Sequence, residues 1–265
     1  MKNILPLMLL AFVLALPAQL RAQEYKMKFN SPTNRKVVLD MRGSDVTVEG
    51  YDGDELIIKG SGNFEESPAT AQALRQGLRP VYSGGAMDNT RLGLAVTQTA
   101  ANTIRIARTS RSDGHYTVRV PRQTDVAFAQ DAWGGSDDLT MRDIAGRIEV
   151  SLKSGDLRLL NVSGPVVANT ISGDIQVKFS ATPSQPCAVS SVSGNVDVSV
   201  PASAKISLSM RSISGEIFTD FDLNLGGSNG LRHVGGQTVD GRANGGGTAL
   251  SLKTISGDVF LRKTK

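Results

Sequence analysis

The chain of 265 residues has one cysteine, two histidines and an aromatic content of only 5%. A single cysteine excludes a disulfide framework within the chain, and Cys187 reads as a small buried hydrophobe rather than a reactive thiol. Two histidines, His115 and His233, cannot supply an imidazole-rich zinc site. No apolar run beyond residue 22 approaches the length of a membrane-spanning helix. Charge of neither sign dominates. The nominal +4 falls close to neutrality if an N-terminal leader is removed, leaving 27 basic against 25 acidic side chains. Composition therefore gives no electrostatic case for a nucleic-acid partner.

What is abundant is glycine, with 28 residues, and it recurs in a pattern. Seven times an apolar residue, a small residue, glycine, one variable residue and a second apolar residue follow one another, at Gly146, Gly155, Gly164, Gly173, Gly194, Gly215 and Gly257. Clear copies are Ile171-Ser172-Gly173-Asp174-Ile175 and Ile255-Ser256-Gly257-Asp258-Val259. Two residues after glycine the chain is apolar in all seven copies. Four after, Thr219 is the exception, and two before, Lys153 is. This is the period of a strand with one buried face, not of a helix.

The first four glycines lie 9 residues apart and the later intervals are 21, 21 and 42. A strand of about five or six residues plus a short turn fills the smaller interval. Coils of about 18 to 21 residues, each with two or three strands, would then stack at about 4.8 Å. The expected fold is an all-β, right-handed parallel β-helix-like solenoid, with the 42-residue interval counted as two coils. Glycine would supply the corners, with residues such as Asp174 and Asn195 bonding the turn backbone. Stacked Asp156, Asp174, Glu216 and Asp258 are the alternative, a calcium row, but the Gly-Gly-x-Gly-x-Asp repeat of calcium-binding β-rolls is missing. Neither a metal nor a cofactor is expected.

Residues 1–22 read as a secretory signal: Lys2, an apolar stretch from Ile4 to Leu16, and Leu20-Arg21-Ala22 at the cut. Residues 23–265 then form a single solenoid domain, with a less regular half or cap over 23–130 and the repeats over 131–265. Alternating strands are expected near Val37, Val46, Leu56, Thr103 and Tyr116. Ser67-Pro68 followed by good helix formers up to Pro80 predicts one short helix. Thr182-Pro183-Ser184-Gln185-Pro186 reads as a loop inserted into a longer coil.

Catalytic constellations are scarce. Asp113 and His115 lack a nucleophile elbow, and Asp137-Asp138, the best pair of carboxylates, would point to opposite faces of a strand. The residues three after each glycine, Glu149, Arg158, Val167, Gln176, Asp197, Phe218 and Phe260, contain no column of acids. Phe218, Phe260 and Trp133 stand out as candidate contact residues, either covered by the protein or available to a partner. Arg105, Arg108, Arg111, Arg119 and Arg122 read mainly as a solvated basic face.

The Ser-Gly-Asp-Ile and Ser-Gly-Asn-Val repeats, the Val46-Thr47-Val48-Glu49-Gly50 strand and the closing Leu250 to Leu261 segment resemble the bacterial putative-adhesin family, exported β-strand-repeat proteins also catalogued as a domain of unknown function. The resemblance implies a β-helix-like protein of the cell envelope and supplies no catalytic residue. The function expected is a non-enzymatic binding or scaffold protein in the periplasm or on the cell surface, with a protein or glycan partner. The alternatives are a glycan-active β-helix enzyme and a periplasmic partner in envelope-stress signalling.

Overall fold

A computed structural model describes residues 23–41, 43–61, 72–73, 75–78, 87–100, 102–109, 114–130, 138–225 and 237–264. Its strands are β1 (Gln23–Lys28), β2 (Lys36–Asp40), β3 (Ser44–Tyr51), β4 (Glu55–Ser61), β5 (Leu94–Ala100), β6 (Thr103–Arg108), β7 (Gly114–Pro121), β8 (Asp125–Ala129), β9 (Leu139–Arg142), β10 (Ile148–Ser154), β11 (Leu157–Val162), β12 (Val166–Ser172), β13 (Ile175–Phe179), β14 (Cys187–Ser193), β15 (Val196–Pro201), β16 (Ile206–Ser212), β17 (Ile217–Thr219), β18 (Asn224–Leu225), β19 (Gln237–Ala243), β20 (Thr248–Ser256) and β21 (Val259–Thr264).

These strands make two long, mostly parallel sheets. Sheet A has ten strands in the order β1-β4-β7-β3-β9-β11-β13-β15-β21-β17, and sheet B eleven in the order β18-β19-β16-β20-β14-β12-β10-β8-β2-β6-β5. Each coil contributes one strand to each sheet, so the coil has two strands. Ile148 pairs with Val166 and Leu157 with Ile175, a repeat of 18 residues. Ile175 pairs with Val196, a repeat of 21, and residues 180–186, where the inserted loop was expected, occupy the longer coil between β13 and β14. In the inner strands the apolar phase faces the other sheet, and one continuous core runs from Val37 and Leu39 to Leu252 and Leu261.

The order of coils departs from the order of the chain. Val259 pairs with both Val196 and Ile217, and Leu250 with both Cys187 and Leu208. The coil of β20 and β21 therefore sits between the coil of β14 and β15 and that of β16 and β17. The 42 residues between Gly215 and Gly257 are not two further coils. They run out through β18 and β19, which add antiparallel strands beyond β16, and return into a slot one coil wide. The same happens near the start, where β2 lies between β8 and β6 and β3 between β9 and β7. Strands of residues 23–130 thus belong to the same two sheets as the repeats. Spacing reports the length of chain per excursion; it does not report where the excursion lands.

The outermost strands are antiparallel at three of the four sheet ends. β4 and β1 extend sheet A beyond β7, β5 extends sheet B beyond β6, and β18 and β19 extend sheet B at the far end. β1 carries ion pairs from Lys26 to Glu24 at 3.1 Å and from Lys28 to Glu55 at 3.6 Å, charges that discourage pairing with another chain at this edge. The region expected to be helical lies largely outside the described residues. What is described there is one helical turn at Gln72, Ala73 and Arg75, closed by the Gln76 N–H donating to the Gln72 carbonyl at 3.2 Å. The leader, residues 1–22, also lies outside them.

Two predictions come from this architecture. Deleting residues 248–265 removes an inner coil and leaves unpaired edges on β14, β15, β16 and β17. The shortened chain is expected to lose its cooperative thermal transition by circular dichroism, whereas loss of an end coil from a sequential stack would leave the other coils melting together. The second concerns Tyr116, which is 2% exposed and donates its hydroxyl to the Leu92 carbonyl at 2.9 Å. Burial pushes its phenol up to about 12, above the value of about 10 in an unfolded chain. Its contribution to stability is complete below about pH 10 and is lost as pH rises toward about 12. Tyr116→Phe should make stability, measured by denaturant unfolding, fall less steeply across that window.

Candidate functional site

The seven repeat glycines divide between two corners of the rack. Gly155, Gly173, Gly194, Gly257 and Gly215 stack where strands of sheet B turn into sheet A, and Gly146 and Gly164 stack at the opposite corner. Gly173, Gly194 and Gly257 have φ of 133°, 145° and 139°, and Gly155 of 104°, which only glycine adopts without strain. Gly146, Gly164 and Gly215 are not at positive φ; there the backbone of the adjacent coil fills the place of a Cβ, through the carbonyls of Thr124, Gly146 and Gly257 respectively. Positive φ is thus confined to four of the seven repeat glycines.

Two hydrogen-bond ladders run along the first corner. Asp138 Oδ1 accepts the N–H of Asp156 at 3.1 Å, Asp156 Oδ1 that of Asp174 at 3.0 Å, Asp174 Oδ1 that of Asn195 at 2.7 Å, Asn195 Oδ1 that of Asp258 at 2.9 Å, and Asp258 Oδ1 that of Glu216 at 2.9 Å. The acidic row is thus a set of caps, each bonding the backbone of the next coil. Among the described residues no group of three or more His, Cys, Asp or Glu side chains is placed to hold a metal ion. Inside the corner runs a row of hydroxyls. Ser191 donates to the Gly173 carbonyl at 3.2 Å, Thr254 to Gly194 at 2.8 Å and Ser212 to Gly257 at 2.8 Å. Sequence reasoning missed this row, although its signal is plain: a serine or threonine three before glycine, in the inward phase of the strand.

The residue two before glycine needs a second correction. The periodicity assigns all its apolar copies to the buried face, and Ile144 and Val162 are indeed buried at the second corner. At the first corner, however, Ile171, Val192, Ile255 and Ile213 are 41%, 43%, 47% and 44% exposed. Thr170, Ser191, Thr254 and Ser212 take the last inward places and pair across coils, so alternation turns the next residue out to solvent. Four coils thereby present an exposed column of branched apolar side chains.

On the outer face of sheet A, Arg158, Gln176, Asp197, Phe260 and Phe218 fall in one register column. Glu149 and Val167, of the same sequence position, belong to sheet B. The Phe218 and Phe260 rings stack with centroids 5.1 Å apart and an angle of 11°, and Phe218 remains 44% exposed. Arg262 lies over the Phe260 ring at 4.8 Å and bonds Asp197 through Nε at 3.0 Å. Beside Phe260 a groove of about 250 Å³ is lined by Asp156, Arg158, Asp174, Gln176, Asn195 and Asp197. Trp133, the third candidate contact residue, lies outside the described residues, as do Asp113, Asp137, Arg111 and His233.

The remaining candidates are held in local structure. Asp138 begins the carboxylate ladder and approaches Arg158 at 3.4 Å. His115 Nδ1 lies 3.0 Å from Asp45, both well exposed. Arg105 pairs with Asp40 at 3.2 Å, Arg119 with Glu49 at 3.8 Å and Arg122 with Asp52 at 2.9 Å, while Arg108 donates to the Gly43 carbonyl. These arginines are scattered into separate contacts. Cys187 is 4% exposed at the start of β14, and burial pushes its thiol up.

A methyl group at Gly173 would meet both the unfavourable φ and the Gly155 carbonyl. Gly173→Ala is expected to cost about 2–4 kcal/mol. Asp174→Ala, which uncaps one N–H at an exposed turn, should cost about 1 kcal/mol, and Asp174→Asn less, as read by chemical denaturation.

A search of curated proteins finds no match. The crystal structure of a putative cell adhesion protein from Clostridium sporogenes matches at 9% identity and a TM-score of 0.47, covering 91% of this chain and 99% of that one. A putative adhesin from Bacteroides fragilis matches at 12% identity and 0.36, covering 91% and 96%. A putative lipid binding protein from Parabacteroides distasonis matches at 11% and 0.26, with the same coverage. The family model described as Toastrack DUF4097 matches residues 133–262. That region, which holds the glycine corners and both ladders, is similar to the Toastrack DUF4097 family.

Proposed function

We propose that the protein is an exported, non-enzymatic binding or scaffold protein of the cell envelope, of the adhesin type. The observation that carries this reading is the exposed column of Ile171, Val192, Ile255 and Ile213, repeated coil after coil on a rigid corner. Such a row costs solubility and is not required by the core, which is complete without it. Many of the polar side chains serve the fold: carboxylates cap backbone N–H groups, hydroxyls cap carbonyls, and arginines pair with acids. A glycan-cleaving enzyme needs two carboxylates converging on one bond, and Asp138 is instead committed to Asp156 and Arg158.

Export follows from the leader-like residues 1–22. Fractionation of the native bacterium combined with protease shaving of intact cells tests the location. Loss of the protein on shaving is the outcome expected of a surface adhesin, and protection until the outer barrier is opened is that of a periplasmic scaffold. Recovery in the cytosol with an uncleaved N-terminus would refute export.

A further inference from the structure

We propose that the groove on the outer face of sheet A is a saccharide site that takes one pyranose ring of a glycan chain by its hydroxyl-bearing edge. This rests on the reading of the protein as a binding protein and names the ligand class of that surface.

The groove crosses three coils, with Asp156 and Arg158 from β11 and the turn before it, Asp174 and Gln176 from the next coil, and Asn195 and Asp197 from the one after. Its charges are mostly cancelled. Asp156 lies 3.3 Å from Arg158, and both oxygens of Asp197 receive Arg262 Nε, at 3.0 and 3.1 Å. Asp174 enters no ion pair among the described residues and is exposed. The ladder also orients these groups. Asp174 uses Oδ1 on the Asn195 N–H, and Asn195 uses Oδ1 on the Asp258 N–H, so Asp174 keeps Oδ2 as an acceptor and Asn195 keeps its amide N–H₂ as a donor. Gln176 adds a second amide on the same column as Arg158.

The result is a mixed set of planar groups, acceptors from Asp156 and Asp174, donors from Arg158 and Asn195 and both from Gln176, on strands about 4.8 Å apart, closed at one end by the apolar wall of Phe260. That wall is itself braced by Phe218 and Arg262. Each hydroxyl of a sugar both donates and accepts, so it is satisfied by such mixed lining, and its C–H groups can rest against the edge of the phenyl ring, whose faces Phe218 and Arg262 cover. Other ligand classes fit worse. A metal ion requires convergent oxygens, and the Oδ1 atoms here are turned into the ladder. An anion meets Asp174. A lysine from a partner would satisfy Asp174 but face the donors of Arg158 and Asn195 without acceptors. The volume of about 250 Å³ lies below the 300–1,000 Å³ of typical small-molecule pockets, which suits a single ring of a longer chain and weak binding per ring.

The test is amide NMR of the ¹⁵N-labelled protein titrated with chitotetraose, cellotetraose and mannotetraose at millimolar concentration. The expected result is saturable shifts for at least one of them, centred on the amides of Asp174, Gln176 and Asn195. Gln176→Ala and Asp174→Asn should each weaken that binding roughly tenfold while leaving the cooperative melt of the protein in place. Asp174→Asn retains an oxygen to cap Asn195, so its effect reports the lost carboxylate rather than a lost fold. Absence of saturable shifts with all three sugars, or equal binding by both variants, overturns the site. A surface-located protein that binds none of these sugars would keep the proposed function and lose the groove; a saccharide-binding protein found in the cytosol would do the reverse.

Discussion

Every feature of this molecule depends on the close approach of backbone to backbone at the corners, where one coil sits directly on the next. At Gly173, Gly194, Gly257 and Gly215 the space of a side chain is taken by the carbonyl of the neighbouring coil. That contact sets the register, and the register aligns everything else. The Val and Leu side chains of successive coils meet in the core because the corners are in step. The carboxylate and hydroxyl ladders reach their partners for the same reason, since a donor one strand away is within reach only when the strands are level.

The ladders explain why the repeat needs both serine and aspartate around its glycine. A corner leaves backbone N–H and C=O groups without strand partners, and burying them unpaired costs roughly 1–3 kcal/mol each. Asp174 and Asn195 satisfy N–H groups from outside; Ser191 and Thr254 satisfy carbonyls from inside. A side effect reaches the surface. Because one oxygen of each ladder residue is fixed, the other polar atom is held in a defined direction on the surface, and the groove beside Phe260 is built from those second atoms.

The strands were legible from residue pattern, including the alternation through Ile148 and Val150 and the loop before Cys187. The exposed column was hidden by the same pattern. Ile171 and Ile175 look equivalent in a count of apolar positions, yet Ile175 points into the core and Ile171 to solvent, because the corner between them reverses the phase. Of the contact residues, Phe218 and Phe260 were picked out singly; their stacking could not be read from positions 42 residues apart without knowing that their coils are adjacent.

What the sequence by itself determined is the local unit: a strand of alternating phase, a glycine corner and a polar cap, each set by interactions between residues close in the chain or by the conformational freedom of glycine. What only the tertiary structure decided is the order of the units. The placement of β20 and β21 between coils that precede them, and of β2 and β3 between coils that follow, depends on which edges are left open and which the antiparallel strands cover. Parallel edges of this kind offer nearly the same backbone bonds to any coil of the repeat, so the choice among them is made by packing across the two sheets rather than by any single segment.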